Sequence, residues 1–240
     1  MIRPVTGALI LTPSRRRRPT TVNDAPPDQA LPDALMLLAP GCPHCPSVLE
    51  GLGALVKEGS IGRLEVVNVA VRPEVAQRLR ARGVPWVRIG PFELHGAHTA
   101  AELRQWARRA GSREGMAEYL RELLAGGRRG DALATLHRDP SRLSSVVSLL
   151  ADPDAEMTVR LGADSLLEEF AGTAELSALV DDLGELSRHA EPRLRGDACH
   201  YLSLTGDPRA APYLRERLAD DAADVREIAG ESLEALGAGR

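Results

Sequence analysis

Ala34-Leu35-Met36-Leu37-Leu38-Ala39-Pro40-Gly41-Cys42-Pro43-His44-Cys45 is the stretch that decides how this chain is read. An apolar run of strand length meets a Pro-Gly turn, and two cysteines three apart follow at once. Behind them Val48, Leu52, Leu55 and Val56 recur at helical spacing, which predicts a helix over about residues 43–57. Two cysteines placed where a strand feeds a helix form a dithiol that can close to a disulfide. The first meets the unpaired N–H groups and positive dipole end of the helix, which favour a thiolate. The thiolate is the attacking species in disulfide exchange.

Outward from this stretch, strand and helix signals alternate. Residues 64–69 read as a second strand, and Pro73 opens a short helix with Val75 and Leu79 on its face. Gly83-Val84-Pro85 breaks that helix. Trp86-Val87-Arg88-Ile89 reads as a third strand, and Gly90-Pro91 turns into a fourth at Phe92-Glu93-Leu94-His95. Thr99 and Glu102 have the spacing of a capping box for a last helix carrying Leu103, Trp106 and Ala107. The order β-α-β-α-β-β-α implies a parallel first pair, because the crossover is helical, and an antiparallel last pair, because the turn is tight.

From residue 115 the pattern changes to successive helices with no strand. Val159-Arg160…Ala163…Leu167, Leu194-Arg195…Ala198…Leu202 and Val225-Arg226…Ala229…Leu233 share an aliphatic, an Arg, then Ala and Leu at four-residue steps. Starts 35 and 31 residues apart match the period of stacked helix pairs. Asp152-Pro153 and Asp207-Pro208 mark breaks between helices.

Charge divides the chain at the same place. Residues 1–112 hold 15 Lys and Arg against 9 Asp and Glu, and residues 113–240 hold 15 against 25. The halves are therefore net +6 and −10, which suggests two units with different surfaces. Residues 1–33, with Arg15-Arg16-Arg17-Arg18 and Pro26, Pro27 and Pro32 among polar residues, read as a flexible arm. The arginine block is read as a solvated tail, and no nucleic-acid partner is expected. Three cysteines, an odd and small number, argue against a disulfide-stapled secreted scaffold. No stretch approaches the roughly 18 apolar residues of a membrane span. Gly7-Ala8-Leu9-Ile10-Leu11 is too short for a secretory signal and precedes its arginines. The expectation is a cytoplasmic protein.

Residues 34–111 resemble a thioredoxin-fold domain in the strand, the Cys-Pro-His-Cys turn, the helix, Val84-Pro85 before the third strand and the capped last helix. The Pro-His pair is similar to that of Dsb-type oxidases, and Cys-Pro-x-Cys-Pro, with Pro46 next, to glutaredoxin-like domains. The resemblance implies a cis-proline at Val84-Pro85 beside the dithiol. It also implies that the Val84 backbone offers strand-like hydrogen bonds to a client, so Pro43, Val84 and Pro85 are the expected substrate-binding residues. The sequence departs from thioredoxins in carrying Gly41 where they have Trp, and Leu35, Met36 and Leu37 where they have a buried acid. Residues from roughly 140 to 237 resemble short HEAT-like repeats.

These readings give an α/β thioredoxin-like fold over 34–112 and an all-α HEAT-like repeat domain over 115–240. Cys42 is the expected nucleophile, Cys45 the resolving thiol that faces the core, and His44 the side chain that stabilises the Cys42 thiolate. The expected function is thiol–disulfide exchange with a protein client carrying a disulfide or dithiol. A further reductant or oxidant recycles the pair, no cofactor is needed, and the repeats bind the client. The alternative is a HEAT adaptor or redox-sensing binding protein without turnover. A half zinc site is the rival reading of the cysteines, with His44, His95, His98 and Cys199 to complete it. Cys199 is otherwise read as a small unreactive residue on the flank of its stripe, and His95 and His98 as surface residues.

Overall fold

The computed structural model describes residues 31–238. Most of the arm expected at 1–33, with its arginine block, lies outside the described residues. Four strands form one mixed sheet in the order β2-β1-β3-β4. They are β1 (Ala34–Leu38), β2 (Leu64–Asn68), β3 (Trp86–Ile89) and β4 (Phe92–His95). β1 pairs parallel with β2 and antiparallel with β3, and β3 pairs antiparallel with β4. β1 is central and apolar at every position, as a strand covered on both faces must be. Pro32 and Asp33 are tied to this sheet region, their carbonyls accepting from Gly62 and Gly90 N–H.

Period-2 alternation sorts the side chains. Ala34, Met36, Val87, Ile89, Phe92 and Leu94 face one way, into a core shared with α1 (Cys45–Glu58) and α3 (Ala100–Arg109). Leu35, Leu37 and Trp86 face the other way, where Val75 of α2 (Pro73–Arg78) covers them. The helix predicted from residue 43 begins at Cys45, with His44 as its N-cap residue. Val48, Leu52 and Leu55 are buried as expected, but Val56 is 39% exposed. The reason is the α1–α3 contact: a Cβ on Gly51 would meet Leu103 and Ala100, so the buried stripe runs through 48, 51, 52 and 55 and leaves 56 outside it. Both halves of the Thr99–Glu102 capping box are formed.

After α3 every described element is helical. α4 (Arg113–Ala125) and α5 (Arg129–Arg138) come first, then α6 (Ser144–Leu150), α7 (Met157–Glu169), α8 (Ala174–Ser177) and α9 (Val180–Leu186). α10 (Pro192–Leu204), α11 (Ala211–Arg217) and α12 (Ala223–Ala238) complete the chain. α6 packs on α7, α9 on α10 and α11 on α12, while α10 touches both α7 and α12. Such stacking of helix pairs gives each stripe a neighbour to bury against. Val159, Ala163, Leu167, Leu194, Ala198, Leu202, Val225 and Ala229 are buried accordingly, and Leu233 is partly so.

The sheet and helical regions share one hydrophobic core, continuous from Ala34 to Leu236. Phe92, Trp106 and Tyr119 cluster across the join, with ring centroids 4.9 to 5.7 Å apart. The Tyr119 hydroxyl both donates to the Glu93 carbonyl and accepts from the Glu93 N–H, each at 3.0 Å.

Candidate functional site

The register fixes what stands near the cysteines. Leu37 of β1 lies opposite Trp86 of β3, and Trp86 opposite His95 of β4. The turn after β1, the segment before β3 and the residues after β4 therefore share one end of the sheet. Cys42 to Cys45 occupy the first and Val84-Pro85 the second. The Val84–Pro85 peptide bond is cis, and the Pro85 carbonyl accepts from Gly96 N–H at 3.0 Å.

Local chemistry shapes the turn. Gly41 has φ +77°, a backbone that glycine adopts freely and a bulky residue does not. Cys42 N–H then donates to the Ala39 carbonyl at 3.3 Å, and the chain enters α1.

Cys42 and Cys45 are joined as a disulfide with their α-carbons 5.5 Å apart. The two are unequal. Cys42 is half-buried, whereas Cys45 is 4% exposed and packs into the core shared by α1 and α3. Cys42 Sγ also accepts a hydrogen bond from Cys45 N–H at 3.2 Å. Pro46 brings no N–H to the first turn of α1, and no acidic residue lies there to offset the positive dipole end. His44 and Pro43 are exposed beside the pair, and His44 makes no side-chain cap hydrogen bond. Val84 is half-buried and touches the apolar clusters on both faces of the sheet, while Pro85 is buried.

Of the two histidines read as surface residues, His95 is exposed as expected and His98 is partly enclosed. His98 Nε2 is buried with no hydrogen-bond partner among the described residues, and Nδ1 lies 3.7 Å from Glu102 Oε2. The His95 ring stands edge-on to Trp86 at 6.5 Å, and burial, followed by the charge of Arg128, lowers its pKa. Cys199 sits at 0% exposure, not on the flank of its stripe, because α10 is packed between α7, α9 and α12. Burial pushes its thiol up to about 11, so it is neither a ready nucleophile nor a ready metal ligand.

The arginine of the second repeat has a role that the stripe did not reveal. Arg195 is buried and grips the Asp220 carboxylate with two hydrogen bonds of 2.8 and 2.7 Å. It also donates to the carbonyls of His189 and Ala190 and pairs with Asp221. Arg226 of the third repeat donates to the carbonyls of Asp220 and Asp221. The arginines thus fasten the loop between α11 and α12.

Residues 143–234 match the family of HEAT repeats, from the end of the 3-10 turn before α6 into α12. No match to a thioredoxin family accompanies the sheet region. No curated protein matches the chain significantly. HEAT repeats stack into extended surfaces that bind other proteins, and among the described residues no helix is long and apolar enough to cross a membrane.

Proposed function

We propose that the chain is a thiol–disulfide oxidoreductase of thioredoxin-like fold, whose helical repeats hold the protein client. The observation that carries this reading is the inequality of Cys42 and Cys45 at the start of α1. The outer sulfur is reachable and takes the first helical N–H, and the inner sulfur is buried behind it. The strand order, the parallel β1–β2 pair and Val84-Pro85 at the same end of the sheet support the fold assignment.

The exchange balances over two steps. In the reduced protein the Cys42 thiolate attacks one sulfur of a client disulfide. A Cys42–client bond forms, the client bond breaks, and the released client thiolate takes up a proton. Cys45, deprotonated, then attacks Cys42 Sγ, closes the Cys42–Cys45 bond and releases the second client sulfur as a thiol. The client gains two electrons and the chain loses two. The same steps run backwards oxidise a client dithiol. In this reading His44, between the two cysteines, favours the Cys42 thiolate by charge or hydrogen bonding.

A second reading rests on the repeats. The HEAT match covers the larger part of the helical region, which suits an adaptor that only senses redox state. Turnover separates the two. The full-length protein should catalyse reduction of an insoluble-product substrate such as insulin by dithiothreitol, and Cys42→Ser should abolish that rate. Wild-type turnover no faster than the uncatalysed rate would leave the adaptor reading standing.

A further inference from the structure

A cleft of about 470 Å³ opens between the α2–β3 loop, β4 and α5. Arg80 and Arg82 line it from the loop, His95 from β4, and Arg128 and Arg138 from the ends of α5. Its two carboxylates are already engaged: Asp131 is paired with Arg128 and Glu93 with Arg138, both at 2.7 Å. Arg80 and Arg82 have no carboxylate partner among the described residues. The charges of Arg128 and Arg82 both bear on the His95 ring.

The position matters as much as the charge. Arg80 and Arg82 stand four and two residues before Val84, and His95 lies opposite Trp86. β4 is two strands from β1, about 10 Å at the usual strand spacing. A peptide passing Cys42 and Val84 in extended form covers that distance in three or four residues.

We propose that this arginine-lined cleft receives an acidic stretch of the client, a few residues from the disulfide presented to Cys42. The proposal rests on the oxidoreductase reading above and names its substrate class. The chain's own residues 1–30 are a poor occupant, since they hold five arginines against two aspartates. Fixed positive charge facing an extended segment both attracts an acidic partner and rejects basic ones.

The test uses two fluorescein-labelled peptides of one sequence, each with a Ser pair in place of the Cys pair. One carries three Glu on one flank and the other three Gln. Fluorescence anisotropy with the full-length protein reads binding without any redox step. The Glu peptide should bind about tenfold more tightly than the Gln peptide at low ionic strength, and this ratio should fall as salt rises. The double variant Arg80→Gly, Arg82→Gln should bring the ratio close to one. Glycine suits position 80, where φ is +52°, so the variant keeps its fold, which circular dichroism checks. Equal binding of the two peptides, or a ratio unchanged in the variant, overturns the proposal. So does displacement of the Glu peptide by a single-stranded oligonucleotide at lower concentration than by unlabelled peptide. A wild-type dimer that the variant turns into a monomer also overturns it, because a second copy would then fill the cleft. Exchange with the Cys-containing peptides is read separately. Binding without exchange removes the oxidoreductase reading and leaves the acidic-peptide site intact.

Discussion

The backbone N–H of Cys45 points at the sulfur of Cys42, 3.2 Å away, so the first donor of α1 is spent on the side chain that precedes the helix. Ordinarily that donor is left to water or to an N-cap oxygen. In the reduced protein the same donor and the uncompensated dipole end favour a negative sulfur at residue 42.

The reduced protein should therefore be alkylated at Cys42 first, with a thiol pKa below that of a free cysteine. Cys45, behind it and 4% exposed, should follow slowly. Cys199 should stay unmodified until the protein unfolds. Iodoacetamide labelling across a pH series, read by peptide mass spectrometry, gives all three rates. Faster labelling of Cys45 would reverse the assigned roles, and a Cys42 midpoint no lower than that of a free thiol would remove the helix end from the argument.

His44 is the one ionisable side chain inside the Cys42–Cys45 turn. Replacing it with Ala removes the side chain proposed to favour the thiolate and should make the disulfide harder to reduce. The expected change is several tens of millivolts to more negative potential, where about 30 mV corresponds to 1.4 kcal/mol for two electrons. Equilibration with glutathione buffers measures it. An unchanged potential would leave the helix end as the sole cause of thiolate stability.

The sheet was legible in the sequence because each of its strands is bounded by a turn residue and alternates or runs apolar. Pro40-Gly41, Gly83 and Gly90-Pro91 marked the limits, and the capping box marked α3 without error in its first turn. The dithiol was legible for the same reason, since both sulfurs belong to one turn of chain. Packing between distant elements was not. Val56 lies on the predicted stripe but outside the α1–α3 contact, and Cys199 reads as the edge of its stripe yet is buried because α7, α9 and α12 enclose α10. The arginine cleft joins residues 80 and 82 to residues 128 and 138, and no local pattern brings those together. Arg195 read as one element of a repeat, and its partner Asp220 stands 25 residues on.

That ion pair gives a stability prediction. Arg195 and Asp220 side chains are 9% and 2% exposed, and without Arg195 the buried Asp220 carboxylate keeps only Arg217, at 3.2 Å. Arg195→Ala should cost on the order of 3 kcal/mol, seen as a lower midpoint in urea. The hydrogen bonds from Arg195 hold the Asp220 carboxyl well below the usual carboxylate range. A carboxyl depressed in the folded state binds fewer protons there than when unfolded. Its contribution is thus fully present above the unfolded value of about 3.9 and is lost as pH falls below it. Wild type should accordingly lose stability between about pH 4 and pH 2 more steeply than Arg195→Ala. Parallel pH profiles for the two would place the acid sensitivity elsewhere.

The last prediction concerns how the two regions unfold. Tyr119 belongs to α4, yet its hydroxyl closes two hydrogen bonds on the Glu93 backbone of the outer strand β4. Its ring completes the cluster with Phe92 and Trp106, and burial pushes its phenol up to about 12, as befits a hydroxyl that stays neutral and bonded. At the same join, a Cβ on Gly115 would come within 2.2 Å of the Arg109 carbonyl, so α3 and α4 meet at a fixed and crowded corner. Cutting the chain near residue 112 would expose Phe92 and Trp106 and leave both Glu93 groups without Tyr119. The described sheet and helices should therefore unfold together. Both tryptophans, Trp86 and Trp106, lie in the sheet half, so their fluorescence reports that half, while far-ultraviolet circular dichroism is dominated by the helices. The two signals should give coincident urea transitions. Tyr119→Phe should shift both by the same amount, about 1 kcal/mol or more for two partly buried backbone groups left unsatisfied. Gly115→Ala should destabilise both as well, through the clash with Arg109. Separate midpoints for fluorescence and dichroism in wild type, or a Tyr119→Phe effect confined to one signal, would show that the regions fold independently and that the shared core does not couple them.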